Sequence, residues 1–161
     1  MPVSGERVTV TRTIAAPASR IWELVSHPQG HVDIDGSGML EAAEDARPLT
    51  AVGDTFDMKM DRTPLSDIPG LVKYEVRNTV TRFEPETLIE WSIGAKESPP
   101  LGHVYAWQLS PTGDGSSTDV THYCDWSNIN DQLRSAGREW PIVPEHMLER
   151  SLDKLERLVT S

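Results

Sequence analysis

Two histidines near the middle of the chain could do acid–base chemistry together. His103 and His122 each lie on the apolar side of a stretch in which apolar and polar residues alternate, and such alternation predicts a β-strand. Imidazole titrates near neutral pH, so two rings in one cavity could act as general acid and general base on a bound carbonyl or enol. The alternative is a structural role, in which each ring is neutral and bonded to a tyrosine or a buried water. No carboxylate or nucleophile falls at a spacing that would complete a catalytic triad with them.

The inward faces of the predicted strands are rich in aromatic rings and thioethers. Such side chains form an adaptable apolar surface, and tyrosine and histidine add a few directional hydrogen bonds. The mixture suits a flat, ring-containing ligand with few polar groups, although the same rings could simply fill a core. The candidate ligand-binding residues, with two leucines from the last predicted helix, are Phe56, Met58, Tyr74, Trp91, His103, Tyr105, Trp107, His122, Trp126, Leu148 and Leu152.

Other residues that could carry chemistry have weaker patterns. Cys124 is the single cysteine of the sequence, and a buried cysteine is usually inert packing. Asp125 follows it directly, but neighbouring strand residues point to opposite faces of a sheet. Arg12 shares a strand face with apolar residues, where its charge would need an acidic side chain or a ligand carboxylate; a position at the sheet margin, reaching water, is the favoured interpretation. Asn78 and Arg82 raise the same question less sharply.

One local spacing fits a calcium-binding loop. Asp33, Asp35 and Ser37 would supply oxygen ligands, Gly38 the sharp turn and Glu44 the closing carboxylate. Prolines and a glycine interrupt the helices that should flank such a loop, and the sequence has no second loop to pair with it. The spacing is therefore interpreted as chance.

A transition-metal site is disfavoured as well. His27 and His31 are four residues apart and, with Asp33, could ligate a transition metal from one face of a helix. Pro28 and Gly30 lie between the two histidines and disfavour such a shared helical face. The sequence predicts no metal and no cofactor.

The charge of the chain limits its partners. Fifteen Lys and Arg against 25 Asp and Glu leave a formal charge of 15 − 25 = −10. Such a field repels nucleic acid and anionic membrane surfaces, so neither is expected as a partner. No apolar run reaches the length of a bilayer span, and the first residues lack the features of a signal sequence. These features predict a cytoplasmic protein whose 161 residues form one domain; a homo-oligomer is possible but not indicated.

The apolar pattern also predicts the elements that position these residues. A strand over 7–15 is followed by a helix after Pro17, which Pro28 ends or kinks. Strands are further predicted over 39–43, 55–60, 72–80, 89–95, 103–109 and 120–126. The opposite faces of the later strands are polar, which predicts an antiparallel sheet with one wet face. The polar residues are Lys73, Glu75, Arg77, Glu90, Gln108 and Thr121.

The last predicted element is an amphipathic helix. Leu148, Leu152, Leu155 and Val159 recur at helical spacing after Pro144. A strand, a helical excursion, about six further antiparallel strands and this helix make an α+β domain. A strongly twisted sheet does not close tightly along a whole helix, so a cavity lined by inward strand residues and the helix stripe is expected.

Four segments follow one another in an order that resembles a known family. They are Val8–Pro17 with Ile21–Val25, Gly102–Trp107, Asp119–Trp126 and the final helix. Over nearly the whole chain they are similar to the START-like (SRPBCC) superfamily, in its polyketide cyclase/dehydrase-like branch. The resemblance implies a helix-grip fold, in which a curved sheet of about seven strands wraps a long C-terminal helix, with short helices after the first strand. The superfamily includes lipid carriers, hormone receptors, aromatase/cyclases, oxygenase domains and chaperone activators, so fold does not fix function.

Three functions are consistent with these observations. The preferred hypothesis is a carrier or sensor that binds a small hydrophobic or aromatic molecule between the sheet and the C-terminal helix. The alternative is a polyketide cyclase/dehydrase-like enzyme in which a cavity histidine or tyrosine moves protons. The third is a protein-interaction module that presents its sheet. The segment Asp61–Pro69, with two prolines between strands, is a candidate gate to the cavity.

Overall fold

The computed structural model describes residues 6–44, 46–95, 101–136 and 140–160. Within these ranges the chain forms seven strands and four helices. In chain order they are β1 (Arg7–Ile14), α1 (Ala18–Val25), α2 (Pro28–Ile34), β2 (Leu40–Glu44), β3 (Thr55–Asp61), β4 (Lys73–Glu84), β5 (Leu88–Gly94), β6 (Val104–Thr112), β7 (Ser117–Asp125), α3 (Asp131–Ser135) and α4 (Glu145–Thr160). The seven strands and the final helix agree with the sequence prediction to within a few residues, whereas α3 is an additional element.

All seven strands form one antiparallel sheet in the order β1-β7-β6-β5-β4-β3-β2. The first strand therefore pairs with the last, and α1 and α2 connect β1 at one edge to β2 at the other. Helix α4 packs against β1 and β7 and against the short helices α1 and α2. This arrangement is a helix-grip fold, so the predicted α+β architecture is confirmed.

The apolar stripe of α4 is buried against this sheet. Leu152 and Leu155 are fully buried, and Leu148 and Val159 are nearly so. A helix of this kind is stabilised mainly by the packing of its apolar face rather than by intrinsic propensity. No helix among the described residues has the length and apolar character that crossing a bilayer requires.

The connection between α2 and β2 lies directly on α4. At Gly36 an added Cβ would come within 2.3 Å of the carbonyl oxygen of Met147, so only glycine allows this approach. The Gly36 amide donates a hydrogen bond of 2.9 Å to Oγ of Ser151. This contact fixes α2 relative to α4 and so positions the side chains that α2 contributes to the interior.

Arg12 forms ion pairs with acidic side chains of α4 and is only partly exposed to water. Its Nη1 donates to Oδ1 of Asp153 at 2.7 Å and to Oε1 of Glu156 at 3.3 Å, and Nη2 lies 3.5 Å from Oε2 of Glu149. The side chain is 27% exposed, which agrees with a position at the sheet margin. The expected partner for an inward Arg12 was either an acidic side chain or a ligand carboxylate. In the structure, acidic side chains of α4 are its partners.

The outer face of the sheet is not exposed to solvent throughout. Glu90 was predicted to be exposed on this face, and that prediction is wrong. This carboxylate is buried, and it accepts hydrogen bonds from the hydroxyl of Tyr123 and, at 2.9 Å, from that of Thr81. The guanidinium of Arg7 lies 3.9 Å from the centre of the Tyr123 ring, and Arg82 Nη1 lies 3.9 Å from Glu90 Oε2. Long side chains from neighbouring strands thus cover the Glu90 carboxylate. The alternation of residues within one strand cannot predict this, because the covering side chains belong to other strands.

We expect Leu152→Ala to lower the free energy of unfolding by about 2–5 kcal/mol, because the substitution leaves a void between α4 and the sheet. The matched control is Leu158→Ala on the same helix, where the side chain is 43% exposed and the loss should stay within about 0.5 kcal/mol. Urea denaturation measures both. Equal losses of unfolding free energy for the two leucines would contradict the assignment of Leu152 to the buried face of α4.

Candidate functional site

A cavity of about 220 Å³ lies between the sheet, α2 and α4. Eight of the predicted ligand-binding residues line it: Met58, Tyr74, Trp91, His103, Tyr105, Trp107, His122 and Leu148. The cavity wall is mostly apolar, and the gap in packing expected between the sheet and the final helix is present.

Three predicted residues lie outside the lining. Phe56 packs behind the wall, with its ring centre 5.3 Å from that of His31 and 6.2 Å from that of Trp91. Trp126 stacks on Trp140, with ring centres 6.2 Å apart. Leu152 is fully buried in the contact between α4 and its neighbours. These side chains support the wall, and a role in direct ligand contact does not follow from their positions.

Aromatic rings form a continuous arc along the cavity wall. Trp91 lies 4.5 Å from His31, measured between ring centres, and 6.2 Å from Tyr105. His103 then lies 6.0 Å from Tyr105 and 5.0 Å from Trp140. Tilted and edge-to-face arrangements of this kind are the favourable geometries for aromatic pairs. Three rings therefore separate His31 at one end from Trp140 at the other.

His122 is a neutral ring stacked on its strand neighbour. It lies 3.8 Å from Trp107, measured between ring centres and with nearly parallel planes, and the two residues are direct partners across β6 and β7. Its Nδ1 lies 2.8 Å from the backbone oxygen of Ala106, so this nitrogen carries the proton. Burial lowers the pKa of His122 to about 4, despite the opposing effect of that hydrogen bond.

His31 on α2 has a similar environment. Its Nε2 lies 2.7 Å from the backbone oxygen of Val25 and therefore donates to it. Burial lowers the pKa of His31 to about 4, so this ring is also neutral near pH 7. From the sequence, His31 is a candidate only as a metal ligand. Its helical spacing of three residues from the apolar Ile34 was the available sign of an inward face.

His31 and His122 both line the cavity as neutral rings. The charged form of His31 also lowers the pKa of His122, after the larger effect of burial. In the sheet, Trp107 is the residue paired with His122, and His103 lies four residues away along the chain, about 13 Å at the rise of an extended strand. His103 and His122 are therefore not cross-strand partners, although both line the cavity, and their role as an acid–base pair stays a prediction. Helix α2 adds a third lining histidine that strand pairing could not reveal.

Two buried polar atoms of the wall lack a hydrogen-bond partner among the described residues. They are Oδ1 of Asn78 on β4 and Nε1 of Trp140. Both side chains line the cavity, and Asn78 is 5% exposed. Nearly all buried polar groups in native proteins are paired, so these two atoms are exceptions in the cavity wall.

The only cation among the lining residues that the structure describes is already paired. Arg62 donates to both carboxylate oxygens of Asp67, at 2.8 and 2.9 Å, and to the hydroxyl of Tyr74 at 3.1 Å. These hydrogen bonds raise the pKa of Arg62 further above its ordinary value. The ion pair closes the connection between β3 and β4, the segment suggested as a gate; its role as a gate stays a prediction.

Cys124 is not a nucleophile at neutral pH. Burial raises the pKa of its thiol to about 12, although a hydrogen bond from Tyr105 opposes this. Burial also raises the pKa of Tyr105 well above its ordinary value. Asp125 points to the other side of the sheet, where it pairs with Arg7 at 2.8 Å.

The residues with calcium-loop spacing serve local structure. Asp35 accepts hydrogen bonds from the amide and hydroxyl of Ser37 and from the amide of Leu40. Asp33 accepts from Gln29, and Glu44 lies on β2, 3.5 Å from Lys59 Nζ.

The histidines considered with Asp33 are separated as well. His27 accepts the amide hydrogen of Gln29 at the start of α2, whereas His31 is buried. In the described ranges, no group of three or more His, Cys, Asp or Glu side chains has the geometry of a metal site.

Comparison of the sequence with protein families agrees with this geometry. The profile of the family described as polyketide cyclase / dehydrase and lipid transport matches residues 6–160. The chain belongs to this family. The suspected membership of the START-like (SRPBCC) superfamily is thereby confirmed.

Curated relatives do not assign an activity. Over 109 residues the chain is 34% identical to the uncharacterized protein Rv0088 of Mycobacterium tuberculosis, a match that covers 66% of this chain and 43% of that protein. The match thus spans less than half the length of this relative.

Solved structures share the fold at low sequence identity. Norcoclaurine synthase from Thalictrum flavum, in complex with dopamine and hydroxybenzaldehyde, has a TM-score of 0.60 and 20% identity, over 96% of this chain and 86% of that chain. Major latex-like protein 151 from Panax ginseng has a TM-score of 0.64 and 12% identity, over 96% and 97%. At these identities the likeness concerns the fold alone.

We expect the protein to lose stability as the pH falls from about 6.5 to about 4. In this window His31 and His122 stay neutral in the folded state but bind protons when unfolded, so acid favours the unfolded chain. Each ring should contribute a loss on the order of 3 kcal/mol by pH 4. Urea denaturation at a series of pH values measures this slope.

The variants His31→Gln and His122→Asn, which keep a donor for the backbone carbonyl, should flatten the slope. His146→Asn is the control, since His146 is exposed on α4. An unchanged slope in both buried-site variants would show that other groups cause the acid sensitivity.

Proposed function

We propose that this protein binds a small hydrophobic or aromatic molecule in the cavity between its sheet and α4, as a carrier or sensor. The observation that supports this most directly is the cavity itself, about 220 Å³ walled mostly by aromatic, methionine and aliphatic side chains. Protein cores are close-packed, and a void of this size destabilises a fold. An apolar cavity with a few convergent polar groups is the usual form of a small-molecule site.

The size of the cavity favours compact ring compounds. An engineered apolar cavity of about 150 Å³ is large enough to hold benzene. A volume of about 220 Å³ is therefore suited to one ring or two fused rings, and a long acyl chain would require the cavity to widen. Dopamine and hydroxybenzaldehyde, held by norcoclaurine synthase in the same fold, each contain a single aromatic ring.

A polyketide cyclase/dehydrase-like activity is the second candidate, because the family description names it. Its weakness lies in the proton-transfer groups. With pKa values of about 4, His31 and His122 are weak bases near pH 7 and do not carry a proton to donate as imidazolium. These two rings are thus better suited to hydrogen bonding with an occupant than to general acid catalysis. His103 and Tyr74, which also line the cavity, remain the proton-transfer candidates of the enzyme alternative.

A protein-interaction role has less support. The large hydrophobic residues that are exposed in the described part of the chain are Val52, Val72 and Leu158. Thr55 at the start of β3 pairs with Thr79 and Asp61 at its end pairs with Lys73, so Val52 and Val72 lie at opposite ends of this strand pair. A docking face would need a contiguous apolar patch, which these two residues do not form.

Naphthalene should bind in the cavity, quench tryptophan fluorescence and raise the melting temperature. With free ligand at ten times its Kd, the rise should be roughly 3–5 °C. Val76→Phe fills the cavity from β4, where Val76 lines it, and should weaken binding at least tenfold. Val72→Phe makes the same change at a residue that is 49% exposed and should leave Kd unchanged.

A broad screen of one-ring and two-ring compounds and fatty acids that finds no ligand would count against the proposal. So would equal effects of the two phenylalanine variants, since binding would then not occur in the cavity.

The enzyme alternative is separated from binding by the fate of a bound carbonyl compound. A carrier returns it unchanged after incubation, whereas a cyclase/dehydrase returns a product that has rearranged or lost one water. Mass spectrometry of the recovered ligand distinguishes these outcomes. Loss of such a product in His122→Asn, with binding retained, would favour the enzyme.

A further inference from the structure

Asn78 brings an unpaired acceptor to the cavity wall. It is buried on β4, lines the cavity, and its Oδ1 receives no hydrogen bond from any described residue. Leaving a buried acceptor unpaired costs about 1–3 kcal/mol. Native proteins keep few such atoms, so a donor from the occupant is the natural partner for this oxygen.

His31 and His122 add two acceptors of the same kind. Each ring donates one N–H to a backbone oxygen, that of Val25 or of Ala106. In a neutral imidazole the other nitrogen then carries a lone pair and accepts. The hydrogen bonds to the backbone use Nε2 of His31 and Nδ1 of His122, which leaves Nδ1 of His31 and Nε2 of His122 as the accepting nitrogens, and both rings line the cavity.

These acceptors belong to one cavity wall. Asn78 is paired across the sheet with Phe56, whose ring contacts that of His31. His122, on β7, lines the same cavity as these two side chains. His31, Asn78 and His122 thus form an acceptor cluster, a name kept below for these three side chains.

The charges of the wall disfavour an anionic occupant. Arg62 and Asp35 are the charged residues that line the cavity in the described ranges. Arg62 is held by both oxygens of Asp67, and Asp35 is held by the amides of Ser37 and Leu40. A ligand carboxylate would have to break the pair of Arg62 with Asp67 or lie desolvated beside acceptors, and both are costly.

We propose that the ligand is an uncharged ring compound with a hydroxyl group, a phenol or an alcohol, and that this hydroxyl donates its hydrogen to the acceptor cluster. The inference rests on the proposed function and narrows its ligand class. A hydroxyl supplies the donor that the cluster lacks, and it requires no change in the ion pair of Arg62. The rings of the arc pack against the apolar body of the ligand.

The test uses three probes that share one ring system: 1-naphthol, 1-methylnaphthalene and 1-naphthoate. Titration of the wild-type protein at pH 7, followed by tryptophan fluorescence, gives their Kd values. One net hydrogen bond should make 1-naphthol bind about fivefold more tightly than 1-methylnaphthalene. The buried carboxylate should make 1-naphthoate bind at least tenfold more weakly than 1-naphthol.

Three variants remove or displace one acceptor each. Asn78→Leu has a similar size but no polar atom, whereas His122→Asn and His31→Gln keep a donor for Ala106 or Val25 and move the acceptor to an amide oxygen. A hydroxyl has one hydrogen to donate, so at least one variant should reduce the preference for 1-naphthol over 1-methylnaphthalene to about twofold or less. The ratio of the two Kd values separates this effect from changes in packing, which both probes share.

Two surface substitutions are the controls for these variants. Asn128→Leu and His146→Asn change exposed residues and should leave the preference for 1-naphthol unchanged.

The outcomes separate this inference from the proposed function. Binding of 1-naphthol and 1-methylnaphthalene with equal affinity, or tighter binding of 1-naphthoate, overturns the hydroxyl preference and leaves cavity binding intact. Retention of the full preference in all three variants assigns the hydroxyl to another part of the wall and also overturns the inference. Absence of binding by all three probes overturns both proposals.

Discussion

A single amphipathic helix has to cover a sheet that is much wider than the helix. Adjacent strands lie about 4.8 Å apart, so seven strands span about 29 Å, whereas a helix with its side chains is about 10–12 Å across. Helix α4 packs on β1 and β7, at one edge of the sheet. The inner faces of the remaining strands need another cover, which α2 and the segment after it provide only in part. The cavity is the space that this mismatch leaves.

The contact between Gly36 and α4 determines how the rest of the cavity is built. Because a side chain at this position would collide with the carbonyl of Met147, the close approach of the α2–β2 connection depends on glycine. That approach sets the position of α2, and α2 carries His31 into the interior beside Trp91. Fold stability and site geometry therefore depend on the same helix contact.

Charge is partitioned between the rim and the interior. Arg12 binds carboxylates of α4 at the margin, and Arg62 is neutralised by Asp67 where the β3–β4 connection meets the cavity. Inside, the titratable rings of His31 and His122 are neutral because burial disfavours their charged forms. Apart from Arg62 and Asp35, whose charges are bonded to neighbouring groups, the polar groups of the described cavity wall are uncharged. In our proposal, such groups hold an occupant through hydrogen bonds.

The amino-acid sequence by itself determined the elements and the inward faces, because alternation and helical spacing are local properties of the chain. It placed Trp91, Tyr105 and His122 on the correct side of the sheet, and the resemblance of several segments led to the correct superfamily. Only the tertiary structure decided which inward residues line open space and which pack behind them, as Phe56 does. It also decided that Glu90 is buried on the outer face and that His31 lines the same cavity as His122. These depend on how distant segments pack, and packing is set by the whole fold rather than by the period of any one strand or helix.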